Sequence, residues 1–141
     1  MHLISSENKK LVTKSAVVEE SKLKSATKFG KDMIRFLAKH PDACGMPAVQ
    51  VGYMKRLFVI LFAGKKMIVI NPEIISRSQA EESMEEGCLS YPGKHKVISR
   101  PISITVKYFN GKEVVEQVMT DFIARIFQHE YDHLEGIPCV V

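Results

Sequence analysis

The clearest chemical pattern in this 141-residue sequence is QHEYDHLEG, residues 128–136. His129 and His133 stand four positions apart, and Glu130 directly follows the first of them. Residues with that spacing project from the same side of a helix, so the two imidazoles can hold one metal ion with the carboxylate beside it. The same letters also occur on ordinary surface helices, so the metal interpretation depends on the rest of the chain.

The residues around this pattern predict a helix that buries the two histidines. Thr120 and Asp121 are suited to start the helix, and Gly136 is suited to end it. Apolar residues precede the histidines on the same side, so the imidazoles extend an inward-facing stripe. That placement argues against a purely solvent-facing pair. The residues that share this side are Phe122, Ile126, His129 and His133.

A second, amphipathic helix is predicted near the N terminus, in EESKLKSATKFGKDMIRFLAKH. Apolar residues recur there at steps of three and four from Leu23 to Leu37, which is the helical period. The helix should end near His40, because Pro41 disfavours helical geometry in the residue before it. The chain therefore has a helix towards each end.

Antiparallel strands are predicted between the helices. RLFVILF and MIVINP suggest a hairpin from Arg56 to Ile70 that Asn71-Pro72 closes, followed by a short strand and an acidic loop. Asn110-Gly111 predicts another hairpin. The expected fold is α+β, with small antiparallel sheets packed around a C-terminal metal-binding helix, and residues 1–141 forming a single domain.

Composition narrows the class of protein. No run of 18 apolar residues is present, and the first residues lack the apolar stretch of a secretory signal, so a cytoplasmic protein without membrane contact is expected. Three cysteines make a disulfide framework improbable.

Residues 1–40 hold nine Lys and Arg against four Asp and Glu. This basic half could attract an acidic partner or RNA, or could simply be a solvated helix face. No stacking-aromatic pattern indicates a specific nucleic-acid module.

A catalytic metal needs a third protein ligand. Only IPCVV follows Gly136, and Glu135 would point to another side of the helix. The best upstream candidate is Cys88 in EEGCLSYPG, because a thiolate binds iron or zinc strongly and completes a Cys-His-His set with one open position. Most lone cysteines, however, are small buried hydrophobes.

The two motifs EGCLS, residues 86–90, and QHEYDHLEG together resemble signature motifs of the peptide deformylases. A third family motif, G-x-G-x-A-A-x-Q-x-G, corresponds to ACGMPAVQVG at residues 43–52, where Ala43 replaces the first glycine and Pro47 an alanine. Because the sequence stops soon after Gly136, it resembles a minimal form without a C-terminal extension. The order and spacing of the motifs fit the family across most of the chain.

This resemblance implies an activity and a set of site residues. The family removes the formyl group from the N-terminal formylmethionine of new polypeptides and releases formate. Cys88, His129 and His133 would hold the metal, and water at the open position would attack the formyl carbon with Glu130 as general base and acid. Gln50 and the backbone N–H of Leu89 would stabilise the oxyanion. The residues implied for substrate binding are Gly45, Cys44, Met84, Glu86, Phe122 and Ile126.

The resemblance also implies one divalent ion per chain, Fe2+, for which Ni2+, Co2+ or Zn2+ can substitute. Affinity order alone would favour zinc over iron. The implied partners are N-formylmethionyl nascent peptides, with a transient ribosome contact through the basic N-terminal half. Asp132 could orient a ligand histidine, pair with Arg100 or be a surface acid.

Two rival functions remain at this point. A zinc endopeptidase of the HExxH type would need a third ligand downstream of His133. A catalytically silent relative would bind formylated peptides or a ribosomal surface without turnover, and only the altered first motif favours it. The position of the third ligand distinguishes a zinc endopeptidase from a deformylase. A measurement of activity distinguishes a silent relative from an active enzyme.

Overall fold

The computed structural model describes all residues, 1–141, as two helices, seven strands and three short 3-10 turns. Helix α1 is Leu23–Leu37 and helix α2 is Asp121–Leu134. The 3-10 turns are Lys9–Val12, Glu20–Lys22 and Ala48–Val51. The strands are β1 (Gly45–Pro47), β2 (Leu57–Phe62), β3 (Lys65–Arg77), β4 (Glu81–Gly87), β5 (His95–Pro101), β6 (Ser103–Phe109) and β7 (Val114–Thr120).

The strands form two antiparallel sheets. One has five strands in the order β1-β2-β3-β6-β7, and the other is the hairpin of β4 and β5. Helix α2 packs against the large sheet through Phe127, which meets Phe58 edge to face with ring centroids 5.0 Å apart. Helix α1 packs against strands β2 and β3 through a second apolar cluster that includes Met33 and Leu37. This arrangement confirms the predicted α+β fold, with two sheets and a helix towards each end of the chain.

Two predictions about the middle of the chain are wrong. Asn71-Pro72 does not close the first hairpin, because β3 continues to Arg77 through an irregularity in its register with β6 at these residues. Asn71 adopts φ 53°, and its side chain bonds both backbone groups of Val18. The turn-forming dipeptide thus makes a bulge that anchors the N-terminal segment.

The acidic segment predicted as a loop is strand β4. Two of its four glutamates lie opposite cations on β5, Glu82 across from Arg100 and Glu86 across from Lys96, and Arg100 also pairs with Glu86. Opposite charges directly across an antiparallel pair stabilise it, which offsets the low strand propensity of glutamate. Smaller differences occur at helix ends. Helix α1 stops at Leu37 rather than near His40, and Thr120 precedes α2 without a side-chain cap.

The N-terminal segment crosses the end of α2. The backbone N–H of Ser15 donates to the carbonyl oxygen of Leu134 over 2.8 Å. Gly136 ends the helix at φ 77°, as predicted, and a Cβ there would lie 2.9 Å from the backbone carbon of Thr13. Only glycine combines this conformation with so close an approach. The segment is thereby held against the helix that carries the two histidines.

Candidate metal centre

One thiol and two imidazoles converge beside helix α2. His129 and His133 lie one turn apart on α2, and Cys88 follows the end of β4. Their ligand atoms all lie within 4.8 Å of one another, and Cys88 Sγ is 3.4 Å from His133 Nε2. His133 has no exposed surface. The three side chains predicted as ligands therefore form one cluster, although Cys88 is 41 positions from His129 in sequence.

The chemistry of this cluster fits a divalent transition metal. A thiolate and two imidazoles are the ligands that iron and zinc prefer, and three protein ligands leave a coordination position open. Two buried oxygens beside the cluster, Gln50 Oε1 and Glu130 Oε1, have no hydrogen-bond partner in the protein. Buried polar atoms without partners are rare, and at a metal centre they can bind a water molecule or a substrate. These features identify Cys88, His129 and His133 as a metal site.

A buried ionic network fixes the orientation of His129. Its Nδ1 lies 2.7 Å from Glu86 Oε1, so its Nε2 faces the cluster. The other contacts of Glu86 come from two arginines, Arg100 at 2.6 and 2.9 Å and Arg125 at a short distance. Burial opposes ionisation of Glu86, but the bonds from His129 and Arg100 outweigh it and lower the pKa of this carboxyl to about 2. A permanently charged Glu86 holds the imidazole as metal-ligating histidines usually are held.

The arginines join α2 to the small sheet. Arg100 on β5 also donates to Asp132 over 2.9 Å, so Asp132 pairs with Arg100 rather than with a histidine. Arg125 donates to the carbonyl oxygens of Ile98 and Glu82. Arg125 was not among the predicted residues, although it precedes His129 by four positions and so shares its side of the helix. Cys139 was also missed, and its sulfur lies 3.5 Å from His129 Nδ1.

The pKa values of the remaining groups follow from burial and neighbouring charge. Burial lowers the pKa of His133 to about 3, which keeps the imidazole in the neutral form that a metal ligand requires. Burial also disfavours a charged His129, but the Glu130 carboxylate and bonds with Cys139, Cys88 and Glu86 raise its pKa well above the ordinary value. A metal ligand must be deprotonated, so protonation of His129 opposes metal binding.

Glu130 lies beside the ligands in a fully buried position. Burial is the main cause that raises the pKa of this carboxyl to about 7. Its carboxylate packs against the backbone of Gly45 on β1, where a Cβ would approach Oε2 to 2.5 Å. A glycine at position 45 therefore leaves the space that Glu130 occupies.

A cavity of about 530 Å3 opens beside these groups. Its lining includes Gln50, Cys88, Leu89, His129 and Glu130. Gln50 Nε2 donates to Cys88 Sγ over 2.9 Å. All six residues predicted for substrate binding line the same cavity, and they are Gly45, Cys44, Met84, Glu86, Phe122 and Ile126. The carboxylate of Glu86 is bound by the two arginines and His129, whereas the other five provide backbone or apolar surface.

The site is not that of a peptidase with a downstream third ligand. Glu135 points away from the cluster and pairs with Arg56 over 2.8 Å. The third ligand comes from the strand end upstream, at Cys88. An α+β fold in which two histidines of the C-terminal helix and a cysteine after β4 form one metal site is that of a metal-binding hydrolase.

Comparison with known proteins gives the family. The family model for polypeptide deformylases matches residues 1–140. The peptide deformylase of Pseudothermotoga lettingae is 45% identical over 97 residues, which cover 68% of this chain and only 56% of that relative. The enzyme of Thermotoga petrophila is 39% identical over 127 residues, which cover 85% of this chain and 77% of that protein.

Solved structures agree. The peptide deformylase of Thermotoga maritima aligns with a TM-score of 0.89 and 36% identity over 96% of this chain and 92% of that one. A ligand-bound class I type b peptide deformylase from Acinetobacter baumannii aligns with a TM-score of 0.91 and 29% identity. The alignment covers 97% of this chain and 95% of that one. The chain belongs to the peptide deformylase family. Membership places it among the enzymes that remove the N-formyl group from nascent peptides.

Proposed function

We propose that this chain hydrolyses the formamide of N-terminal formylmethionine with Glu130 as the group that carries the proton. The observation that carries the proposal is the buried Glu130 carboxyl, which lines the cavity together with Cys88 and His129 of the metal cluster. A divalent ion held by the cluster would polarise the formyl carbonyl and lower the pKa of water there. The remaining chemistry belongs to the protein's own side chains.

Glu130 takes a proton from the attacking water and gives it to the departing amine. A general base and acid works best when its pKa lies near the working pH, and that of Glu130 is raised to about 7 by burial. Its contact with the Gly45 backbone limits the directions in which the carboxylate can turn. Oε1 has no protein partner and is free to accept the proton from water.

Gln50 and Leu89 stabilise the oxyanion that forms on the formyl oxygen. The amide nitrogen of Gln50 has two protons and donates one to Cys88 Sγ, which leaves the other for substrate. The backbone N–H of Leu89, outside the strands, donates to no protein acceptor. Both residues line the cavity, and free donors that face a reacting carbonyl are what acyl-transfer sites use.

The methionine side chain of the substrate fits the apolar part of the cavity. Met84, Phe122, Ile126 and Cys44 supply that surface, while Glu86 is proposed to shape the wall through its bond with His129. The peptide chain itself can pair with β1, which lies at the edge of the five-stranded sheet and contains Gly45. Edge strands commonly bind extended peptides in this way.

We further propose Fe2+ as the native ion, with Ni2+, Co2+ or Zn2+ as substitutes, because family membership favours iron while the ligand set accepts all four. Contact with the ribosome is proposed through the basic N-terminal half, since the substrates are nascent chains. A cytoplasmic location follows from the same reasoning, because nascent chains occur where translation takes place.

The test combines metal content with formate release from formyl-Met-Ala-Ser, for the wild type and Glu130→Ala in parallel. The wild type should release formate, and Glu130→Ala should lose activity by more than about a hundredfold while it keeps one ion per chain. Absence of release by the fully metal-loaded wild type would overturn the proposal. If that protein still bound formylated peptide, it would be a catalytically silent relative.

A further inference from the structure

A second cleft lies on a part of the surface that shares no lining residue with the catalytic cavity. Its volume is about 400 Å3, and it lies between α1, the start of strand β3 and the turn joining β6 to β7. The β6–β7 turn contacts α1 directly, since a Cβ at Gly111 would lie 3.1 Å from the Thr27 methyl. The lining residues are Thr27, Lys31, Ile34, Arg35, Lys66, Ile68, Asn110, Gly111 and Lys112.

Four of these residues are cations, and they come from three separate elements. Lys31 and Arg35 lie on α1, Lys66 follows the β2–β3 turn, and Lys112 lies in the β6–β7 turn. No carboxylate lines the cleft. Asp32 is bound by Arg35 and neutralises one charge at the margin. Like charges that converge on a concave surface create a strongly positive potential, which attracts an anionic partner.

The positive surface continues along the helix beyond the cleft. Lys24 and Lys28 precede Lys31 and Arg35 at steps of four, three and four, so all four cations lie on one exposed side of α1. This row is about 16 Å long at 1.5 Å per residue. The buried side of the helix, with Ala26 and Met33, faces the opposite direction. The row and the cleft form one surface, which we name the basic surface.

We propose that the basic surface binds the phosphate backbone of RNA without reading its bases. Successive cations on one helix side are about 5–6 Å apart, so a row of them can contact a series of phosphates on one strand. No aromatic side chain lines the cleft for stacking on bases, and its isoleucines Ile34 and Ile68 are only partly exposed, which disfavours membrane insertion. The inference rests on the proposed ribosome contact, and it assigns that contact a surface and a chemical class of partner.

The test is binding of a fluorescent RNA hairpin as a function of salt concentration. The variant Lys31→Glu/Lys112→Glu reverses two charges in the cleft. Its matched control, Lys9→Glu/Arg77→Glu, makes the same change in net charge at exposed residues outside the basic surface. The wild type should show a steep salt dependence, and the cleft variant should lose about tenfold or more in affinity and about one to two units of slope. The control should change much less.

Further measurements keep this inference separate from the catalytic proposal. Formate release should be unchanged in both variants, because neither alters the catalytic cavity. Equal losses of RNA affinity in the two variants would overturn the inference, as would binding to phosphatidylglycerol vesicles but not to RNA. Co-sedimentation with ribosomes that survives in the cleft variant would also overturn it, and would leave ribosome contact to another surface.

Discussion

The two helices are of similar length but bury different chemistry. The buried side of α1 contains Ala26, Met33 and Leu37, with no charged residue. The buried side of α2 contains Arg125, His129, Glu130 and His133 in addition to apolar residues. Both helices pack against the five-stranded sheet, so the difference does not come from the architecture. The buried side of α1 contributes only to the apolar core, whereas that of α2 also carries the metal-site residues.

The comparison shows what a functional helix requires from the rest of the fold. Each large apolar side chain buried by α1, such as Met33 or Leu37, stabilises the protein by about 1.5–3 kcal/mol. Each polar group buried by α2 needs a specific partner, because an unpaired one is costly. Strand β4 supplies the partner of two of these groups, because Glu86 binds both Arg125 and His129. The small sheet therefore positions one of the two metal ligands of α2, His129.

The largest effect should come from removing the ligand that α2 does not provide. Cys88→Ala leaves two imidazoles, which should lower metal affinity and formate release by more than the 10- to 100-fold typical of changes outside the ligand set. Metal content after dialysis and formate release measure this. Retention of a tightly bound ion would mean that α2 holds the metal without the strand and would restore the peptidase interpretation.

A change in the network behind His129 should affect both metal and stability. Glu86→Gln removes the charge that pairs with Arg100 and Arg125, and breaking such a buried set costs about 3–5 kcal/mol. Metal affinity should also fall by about 10- to 100-fold. Denaturant unfolding and metal titration measure the two effects. The control Glu85→Gln alters an exposed neighbour on the same strand and should change neither.

A core change in α1 should affect stability alone. Met33→Ala removes a side chain with no exposed surface and should cost about 2–5 kcal/mol of unfolding free energy. The exposed residue Lys28, changed to Ala, should cost less than about 0.5 kcal/mol. At a temperature where both proteins are folded, kcat should match the wild type. A marked loss of kcat in Met33→Ala would show that the helices are coupled.

The smallest expected effect is a gain in the free energy of unfolding rather than a loss. The pKa of Glu130 is about 7 in the folded metal-free protein, above the ordinary 4.5. The folded state thus binds this proton more tightly, and stability falls as pH rises from about 4.5 to 7. Glu130→Gln avoids this loss and should stabilise the metal-free protein by on the order of 2–3 kcal/mol at pH 8, and by much less at pH 4. Unfolding at both pH values tests the sign.

The sequence predicted the helices and the ligands well because their signals are local or recur as motifs. The spacing of His129 and His133 and the apolar period of both helices are visible within a few turns. Asn110-Gly111 correctly indicated the hairpin of β6 and β7. Cys88 required the resemblance of EGCLS to a known family, since nothing in its own neighbourhood distinguishes a ligand from a buried thiol.

The features that were missed depend on partners distant in sequence. Strand β4 is acidic and becomes a strand because β5 supplies cations opposite it. Pro72 lies within β3 because a register irregularity accommodates it. Arg125 has a buried partner, Glu86, that lies 39 positions earlier. Charge pairing across such separations leaves no periodic pattern in either segment.

The crossing of Thr13 over Gly136 has a consequence for the order of assembly. It joins distant parts of the chain, and contacts of that kind form late because loop closure opposes them. Ser15 binds the last turn of α2, directly after His133. Docking of the N-terminal segment therefore adds a hydrogen bond to the turn that carries this ligand. Stable uptake of the ion should be among the last events of maturation, and its kinetics should report when the chain has finished folding.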